Sequence, residues 1–428
     1  MTTLTDPPQE SFRLSMLLND TRYRSLTFQF IALILLIASM AWLASNAVRN
    51  LESLGQDISY EFLADPAGYD INQQPIPFTS QDTHLRASMV GLLNTLIVAF
   101  LGCITATVIG IFAGILRLSN NWLVAKLMSV YVEIFRNVPV LIWILIIFSI
   151  MSFALPQPRE FRGETPTASM VADSFAFTNR GVYVPKPIFT NGFQSEDFAD
   201  GTRRVQGLGD LAASGALNWI AVLAVLAGAW QFSRWYGRRA SAIQEATGER
   251  PTTWYVTLAA WALPLIALLW WLGLSFELPE LRGFNFQGGI QVRGSLIALW
   301  FALSLYTAAF IAENVRAGIQ AISKGQTEAA ASLGLRPGRI MSLVVLPQAL
   351  RVIIPPLISQ YLNLTKNSSL AIAVGYMDIT GTLGGITLNQ TGRAIEAILL
   401  LMLFYLLVSL GISAIMNVYN NAVKLKER

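Results

Sequence analysis

Residues 325–334 read Gly325-Gln326-Thr327-Glu328-Ala329-Ala330-Ala331-Ser332-Leu333-Gly334, and Val344 and Leu346-Pro347 follow at a short distance. Gln326 to Leu333 fit one short helix, because alanine, glutamate and glutamine are strong helix formers. Gly334 suits the position just past the helix end, where the chain reverses. Pro337 allows a second helix to begin, and Leu346-Pro347 returns the chain toward the next apolar run. The stretch predicts a helix-turn-helix elbow within a polar segment, residues 313–351, that also holds Glu313, Arg316 and Gly318.

Outward from the elbow, the composition defines the setting. The 428 residues are 54% hydrophobic and only 13% charged, with mean hydropathy +0.50. So few charges cannot cover the surface of a soluble protein of this length, and the chain reads as an all-α membrane protein. A net charge of +4 is too weak to indicate nucleic acid. One cysteine, Cys103, excludes an intramolecular disulfide. With a single histidine, His84, beside the first external loop and read as a surface residue, no metal site or cofactor is expected and no catalytic constellation emerges.

About 20 uncharged residues of helix cross the ~30 Å hydrocarbon core. Eight stretches qualify: Ser25 to Val48, Ala87 to Leu116, Asn137 to Pro158, Leu211 to Ser233, Pro251 to Phe276, Gly294 to Ala312, Val352 to Met377 and Ala397 to Val423. The first is longer than the apolar run of a signal peptide and reads as a membrane anchor. Positive residues remain on the cytoplasmic side. With both termini inside, the cytoplasmic segments hold 18 Lys and Arg and the external ones 11, while acids divide 9 inside and 17 outside. The elbow then lies in the cytoplasm, two spans before the C-terminus. The long external stretch from Arg159 to Asp210 is punctuated by Gly163, Pro166, Gly181, Pro185, Pro187 and Gly192, which predicts turns and short strands. A structured cap and a docking site for an external partner both remain open for residues 158–216.

In that position the elbow resembles the permease subunits of ABC importers. Their signature is Glu-Ala-Ala, three residues, Gly, nine residues, Ile, one residue, Leu-Pro. Here it reads Glu328-Ala329-Ala330, Gly334, Val344 and Leu346-Pro347, with valine for isoleucine as the departure. Gly318-Ile319-Gln320-Ala321-Ile322, Pro355-Pro356 and Leu364-Thr365-Lys366-Asn367-Ser368-Ser369-Leu370 are similar to the polar amino-acid branch, as are Gly91-Leu92-Leu93-Asn94-Thr95-Leu96 and Glu133-Ile134-Phe135-Arg136-Asn137-Val138-Pro139. The resemblance implies a type I importer permease core in two parts, residues 87–157 and 294–428, the second holding the coupling loop 313–351. Residues 1–86 supply an extra helix and an acidic external loop, and residues 158–293 an insertion with two more helices. Such an insertion resembles the larger permease of general L-amino-acid importers.

The resemblance implies partners: cytoplasmic ATP-binding subunits, a second and non-identical permease, a periplasmic amino-acid-binding protein, an amino-acid substrate and the lipid bilayer of a bacterial inner membrane. The chain itself contains no Gly-Lys dipeptide and hence no phosphate-cradling lysine loop. Its energy arrives from another subunit, and it is not an enzyme. In the coupling assignment, Ala329 and Ala330 allow close approach of the ATPase, Glu328 binds backbone amides or a basic residue, Gly334 permits the reversal and Leu346-Pro347 closes the loop.

For the substrate pathway, a zwitterion needs a partner for its carboxylate. Lys366 interrupts the seventh span and is the candidate, with Asn367, Ser368, Asn94 and Thr95 as neutral hydrogen-bonding groups. The alternative for Lys366 is a helix ending near Leu364, with the ammonium reaching the external interface. The alternative for the whole chain is an ion-coupled secondary amino-acid transporter. Buried acids and paired half-repeats mark that class, and no acid interrupts the uncharged spans.

Overall fold

The computed structural model describes residues 21–53, 55, 57–162, 166–191, 216–249 and 251–423. The described residues up to Phe62 form one compact unit, containing helix α1 (Thr21–Ser53), and those from Leu63 on form another. The second unit is built on α2 (His84–Leu116) and α7 (Gly294–Gln320). These helices approach closely because both are lined with small residues. A methyl group at Gly110 would sit 2.6 Å from Ile311 Cβ, and one at Gly114 would sit 2.7 Å from the Ala312 carbonyl oxygen. The Gly110/Gly114 spacing thus serves packing inside this chain.

Around this pair lie α3 (Trp122–Asn137), α4 (Val140–Ala154) and the long helix α9 (Pro337–Val374). The buried centre joins Val98 and Ala106 of α2, Ile144 of α4, Leu299, Leu303 and Ile311 of α7, and Ile353 and Leu364 of α9. Cys103 packs against it, as an apolar helix position predicts. The last helix, α10 (Ala394–Val423), lies against α9. Between α4 and α7 come strands β1 (Ala176–Thr178), β2 (Gly181–Val184) and β3 (Lys186–Phe189), helices α5 (Ala216–Thr247) and α6 (Trp254–Trp271), then strands β4 (Leu274–Glu277), β5 (Glu280–Arg282), β6 (Asn285–Gln287) and β7 (Ile290–Arg293). The short strands expected from the Gly/Pro punctuation are present.

Their pairing tests the topology. β2 runs antiparallel to β7, with Gly181 opposite Arg293, and β3 to β4, with Phe189 opposite Leu274. The strands before α5 and those after α6 therefore share one face, as two crossings between them require. The helices α5 and α6 pack together through Val222, Leu226, Leu265 and Leu268, and the Trp261 indole donates to Ser233 Oγ at 2.9 Å.

Among the described residues, seven helices are long and apolar enough to cross a membrane. The expected fourth span, Leu211 to Ser233, begins outside the described residues, and its described part is the uncharged first half of α5. One alternative falls away. The seventh span does not end near Leu364. The helix continues through Lys366 to Asn367 and, as a tighter 3-10 segment, to Val374.

Candidate coupling elbow and translocation pathway

After α7 the elbow helix α8 (Lys324–Ser332) forms as predicted. It ends in a Schellman closure. Gly334 N–H donates to the Ala331 carbonyl at 2.9 Å and Leu335 N–H to the Ala330 carbonyl at 3.4 Å. Gly334 adopts φ +78°, the left-handed region that disfavours every β-carbon, although a methyl group there would meet no neighbour. Glycine is needed here for conformation, not for space.

The alanines divide. Ala330 is buried and packs with Ile340, Val345, Leu335 and Ile322. Its small size lets α8 lie against the chain's own second helix, so the expectation that Ala330 faces a partner is corrected. Glu328 and Ala329 are exposed, and Leu333 is 80% exposed. The second helix is not a separate one. It is the start of α9, widened by a π-turn over Met341–Val345. The wide turn lets Leu346 N–H reach back to the Met341 carbonyl, beside Pro347, which has no N–H to donate and would crowd a regular turn. Leu346 is exposed and Pro347 half-buried. Gln348 ties the two limbs, its Nε2 donating to the Val344 carbonyl at 3.0 Å and to Gln326 Oε1.

Directly behind the elbow, Glu313 collects three arginines. It accepts from Arg117 Nη1, from Arg316 Nη2 at 2.7 Å, and lies 3.8 Å from Arg136 Nη1. One carboxylate on α7 thereby joins the chain after α2, the end of α3 and α7 itself. Sequence reasoning placed Glu313 in a loop and gave it no role. The signal was a lone acid beside a membrane span with Arg117, Arg136 and Arg316 at neighbouring helix ends.

The pathway residues separate. Asn94 is fully buried, and its Nδ2 donates to the Gln73 carbonyl at 2.8 Å and the Met377 carbonyl at 2.9 Å. Thr95 Oγ1 accepts from Ile379 N–H at 3.1 Å. Both are buried and pin the segment after α9 to α2, which speaks against their assignment to the pathway. Ser368 is buried, its hydroxyl donating to the Thr365 carbonyl at 2.8 Å. Lys366 is exposed and its ammonium makes no hydrogen bond or ion pair among the described residues, and Asn367 is half-buried beside it.

That segment, 375–393, contains a buried acid that sequence reasoning missed. Asp378 Oδ1 accepts from Gly381 N–H at 2.9 Å, and Tyr405 OH donates to Oδ2 at 3.4 Å. It lies between the spans that end at Val374 and begin at Ala394. Burial pushes its carboxyl up to about 6, against the lowering by these donors. With Asp378 fully buried and Glu396 4% exposed, the chain does hold buried acids, so their supposed absence carries no weight against an ion-coupled carrier. His84 is likewise buried, contrary to expectation, with Nδ1 3.1 Å from Thr387 Oγ1.

The family model described as "Binding-protein-dependent transport system inner membrane component" matches residues 221–425. The glutamate/glutamine/aspartate/asparagine transport system permease protein BztB of Rhodobacter capsulatus is 56% identical over 438 residues, covering 100% of both chains. The general L-amino acid transport system permease protein AapQ of Rhizobium johnstonii is 42% identical over 420 residues, covering 98% of this chain and 96% of that one. The probable glutamine ABC transporter permease protein GlnM of Bacillus subtilis is 36% identical over 172 residues, 38% of this chain and 79% of that one. These likenesses extend over the whole length for the first two, elbow and inserted helices included, and the chain belongs to the binding-protein-dependent transport system inner membrane components, as a multi-pass amino-acid ABC permease of the larger type.

Proposed function

We propose that α8 seats in a surface groove of a cytoplasmic ATP-binding subunit and carries its motion to the membrane helices. One observation bears most of this reading. Glu328, Ala329 and the 80% exposed Leu333 stand free on an elbow whose other side is fastened by Ala330, Gln326 and the Schellman closure. An exposed leucine beside an acid on a fastened helix fits a groove with an apolar floor and a donor at its rim. Movement of α8 would pass through Gln348 to α9, as one rigid unit.

In this reading a second, non-identical permease completes the pathway, and a periplasmic binding protein delivers the amino acid across a bacterial inner membrane. Residues 87–157 and 294–428 act as the core, with residues 158–293 inserted between them. The naming of BztB supports acidic amino acids and their amides as cargo. Lys366, exposed within α9, is offered to the pathway carboxylate, with Asn367 beside it. Purification of the intact complex with identification of its subunits tests the assembly. An ATPase should co-purify with the parent chain and be largely lost with Leu333→Asp. Retention of the ATPase by Leu333→Asp at the parent's stoichiometry counts against α8 as the docking element.

A further inference from the structure

A cavity of about 430 Å³ opens where the strands between α4 and α7 meet the core. Its polar wall comes from Asn72, Asn179, Arg180, Asn285, Gln291 and Arg293, and its floor from Phe148 of α4 and Val374 at the end of α9. The β2/β7 pairing brings the arginines together, since Arg293 stands opposite Gly181, the neighbour of Arg180. Among the described residues no acid lines the cavity. Arg293 Nε donates to the Asn72 carbonyl at 2.9 Å and Arg180 Nη1 to the Phe284 carbonyl at 3.4 Å, and neither has a carboxylate partner among the described residues. These backbone contacts orient the guanidinium groups and leave their charge uncompensated.

Two further features point the same way. Gly294 and Ser295, the first residues of the 27-residue helix α7, also line the cavity. That helix start has no acid in its first turn and no side-chain cap, so its N–H groups and the positive end of its dipole favour an anion. Asn179 Oδ1, in contrast, is buried and accepts no hydrogen bond among the described residues. It is an acceptor in a wall otherwise rich in donors. A group bearing a carboxylate and an ammonium matches both halves.

We propose that this cavity is a carboxylate-binding vestibule at the external mouth: Arg180, Arg293 and the start of α7 hold a carboxylate, and Asn179 faces an adjacent ammonium. The proposal rests on the reading of the chain as an amino-acid permease. The carboxylate comes either from the free amino acid or from an acidic side chain of the delivering protein. The size fits a single amino acid, toward the lower end of small-molecule pockets, which span about 300–1,000 Å³.

The test uses the purified transporter complex in nanodiscs, titrated calorimetrically with L-glutamine and with L-glutamine amide, the analogue that keeps the ammonium and lacks the carboxylate. The free-substrate source predicts that the parent binds L-glutamine, that the amide binds at least about tenfold more weakly, and that Arg180→Gln and Arg293→Gln lose a similar factor, since each change removes a charge-assisted hydrogen bond. Arg293→Lys, which keeps the charge, should retain most of the binding and reports on folding. The partner source predicts no free-ligand binding, with docking of the binding protein weakened about tenfold by either Gln variant at low salt. Glutamine variants that equal the parent in both titrations overturn the proposal, as does equal binding of acid and amide. Uptake of L-glutamine by the same complex reconstituted in proteoliposomes, measured separately, distinguishes failure of this site from failure of the amino-acid reading.

Discussion

The inner elbow and the outer mouth of this permease are fastened by different chemistry. At the elbow, a small apolar cluster around Ala330 and a single carboxylate, Glu313, hold helices whose charged ends face water. At the mouth, buried polar side chains grip backbone: Asn94 holds two carbonyls, Thr95 an amide, and Asp378 caps a turn. An elbow that transmits force has to move as one body, and hydrophobic tucking with ion pairing allows a body to shift as a unit. A mouth of irregular backbone beside lipid has to satisfy each polar group where it stands.

The difference can be broken at either end. Glu313→Ala should have the largest effect, because it leaves Arg117, which is 9% exposed, without its carboxylate. We expect a loss of about 2–3 kcal/mol, scaled down from a fully buried pair because Glu313 is 25% exposed, together with failure of ATPase stimulation. Thermal unfolding and ATP hydrolysis in proteoliposomes measure the two, and a variant as stable as the parent would show that the arginines pair elsewhere. Asn94→Ala should cost about 2 kcal/mol, at about 1 kcal/mol for each lost hydrogen bond, and should impair uptake while leaving docking of the ATPase intact. Loss of ATPase binding in that variant would erase the separation of the two regions.

The paired alanines sharpen the elbow itself. Ala330→Leu overfills a packed cluster and should destabilise the permease by about 1–3 kcal/mol. Ala329→Leu, on the exposed side, should leave the isolated permease unchanged and weaken its affinity for the ATPase. Reversed results would place the partner on the other face of α8. The smallest effect concerns pH. The Asp378 carboxyl is raised in the folded state to about 6, so its protonated form is favoured by folding. Its contribution to stability is full below the ordinary carboxylate range near 3.8 and is lost as pH rises through about 6. Thermal stability should therefore gain from this group as pH falls from 7 to 5, and Asp378→Asn should flatten that slope.

Much of the elbow was legible in the sequence, because a helix of nine residues with its stop glycine is a local structure. Gly334 at φ +78° and the exposed Glu328 lie where the spacing places them. Which alanine faces inward was not legible, since that depends on Ile340 and Val345 folding back from α9. Span positions followed from charge-free runs, and the fourth of them begins outside the described residues. The mouth was read least well. Asn94, Thr95 and His84 carry polar groups that suit a pathway or a surface as readily as a buried clamp, and their partners at Gln73, Met377, Ile379 and Thr387 are distant in sequence, most by nearly 300 residues or more. Asp378 left one local trace, an acid three residues before Gly381 at a turn start.

The central claim is that α8 and its glycine stop act as one stiff lever. The most direct measurement is binding-protein-stimulated ATP hydrolysis in proteoliposomes for Gly334→Val and Gly334→Asn. Valine at φ +78° costs about 1–2 kcal/mol or more and should release the elbow and abolish most of the stimulation, whereas asparagine, which tolerates left-handed backbone, should retain it. Full stimulation in the valine variant, with the complex still assembled, would contradict the lever.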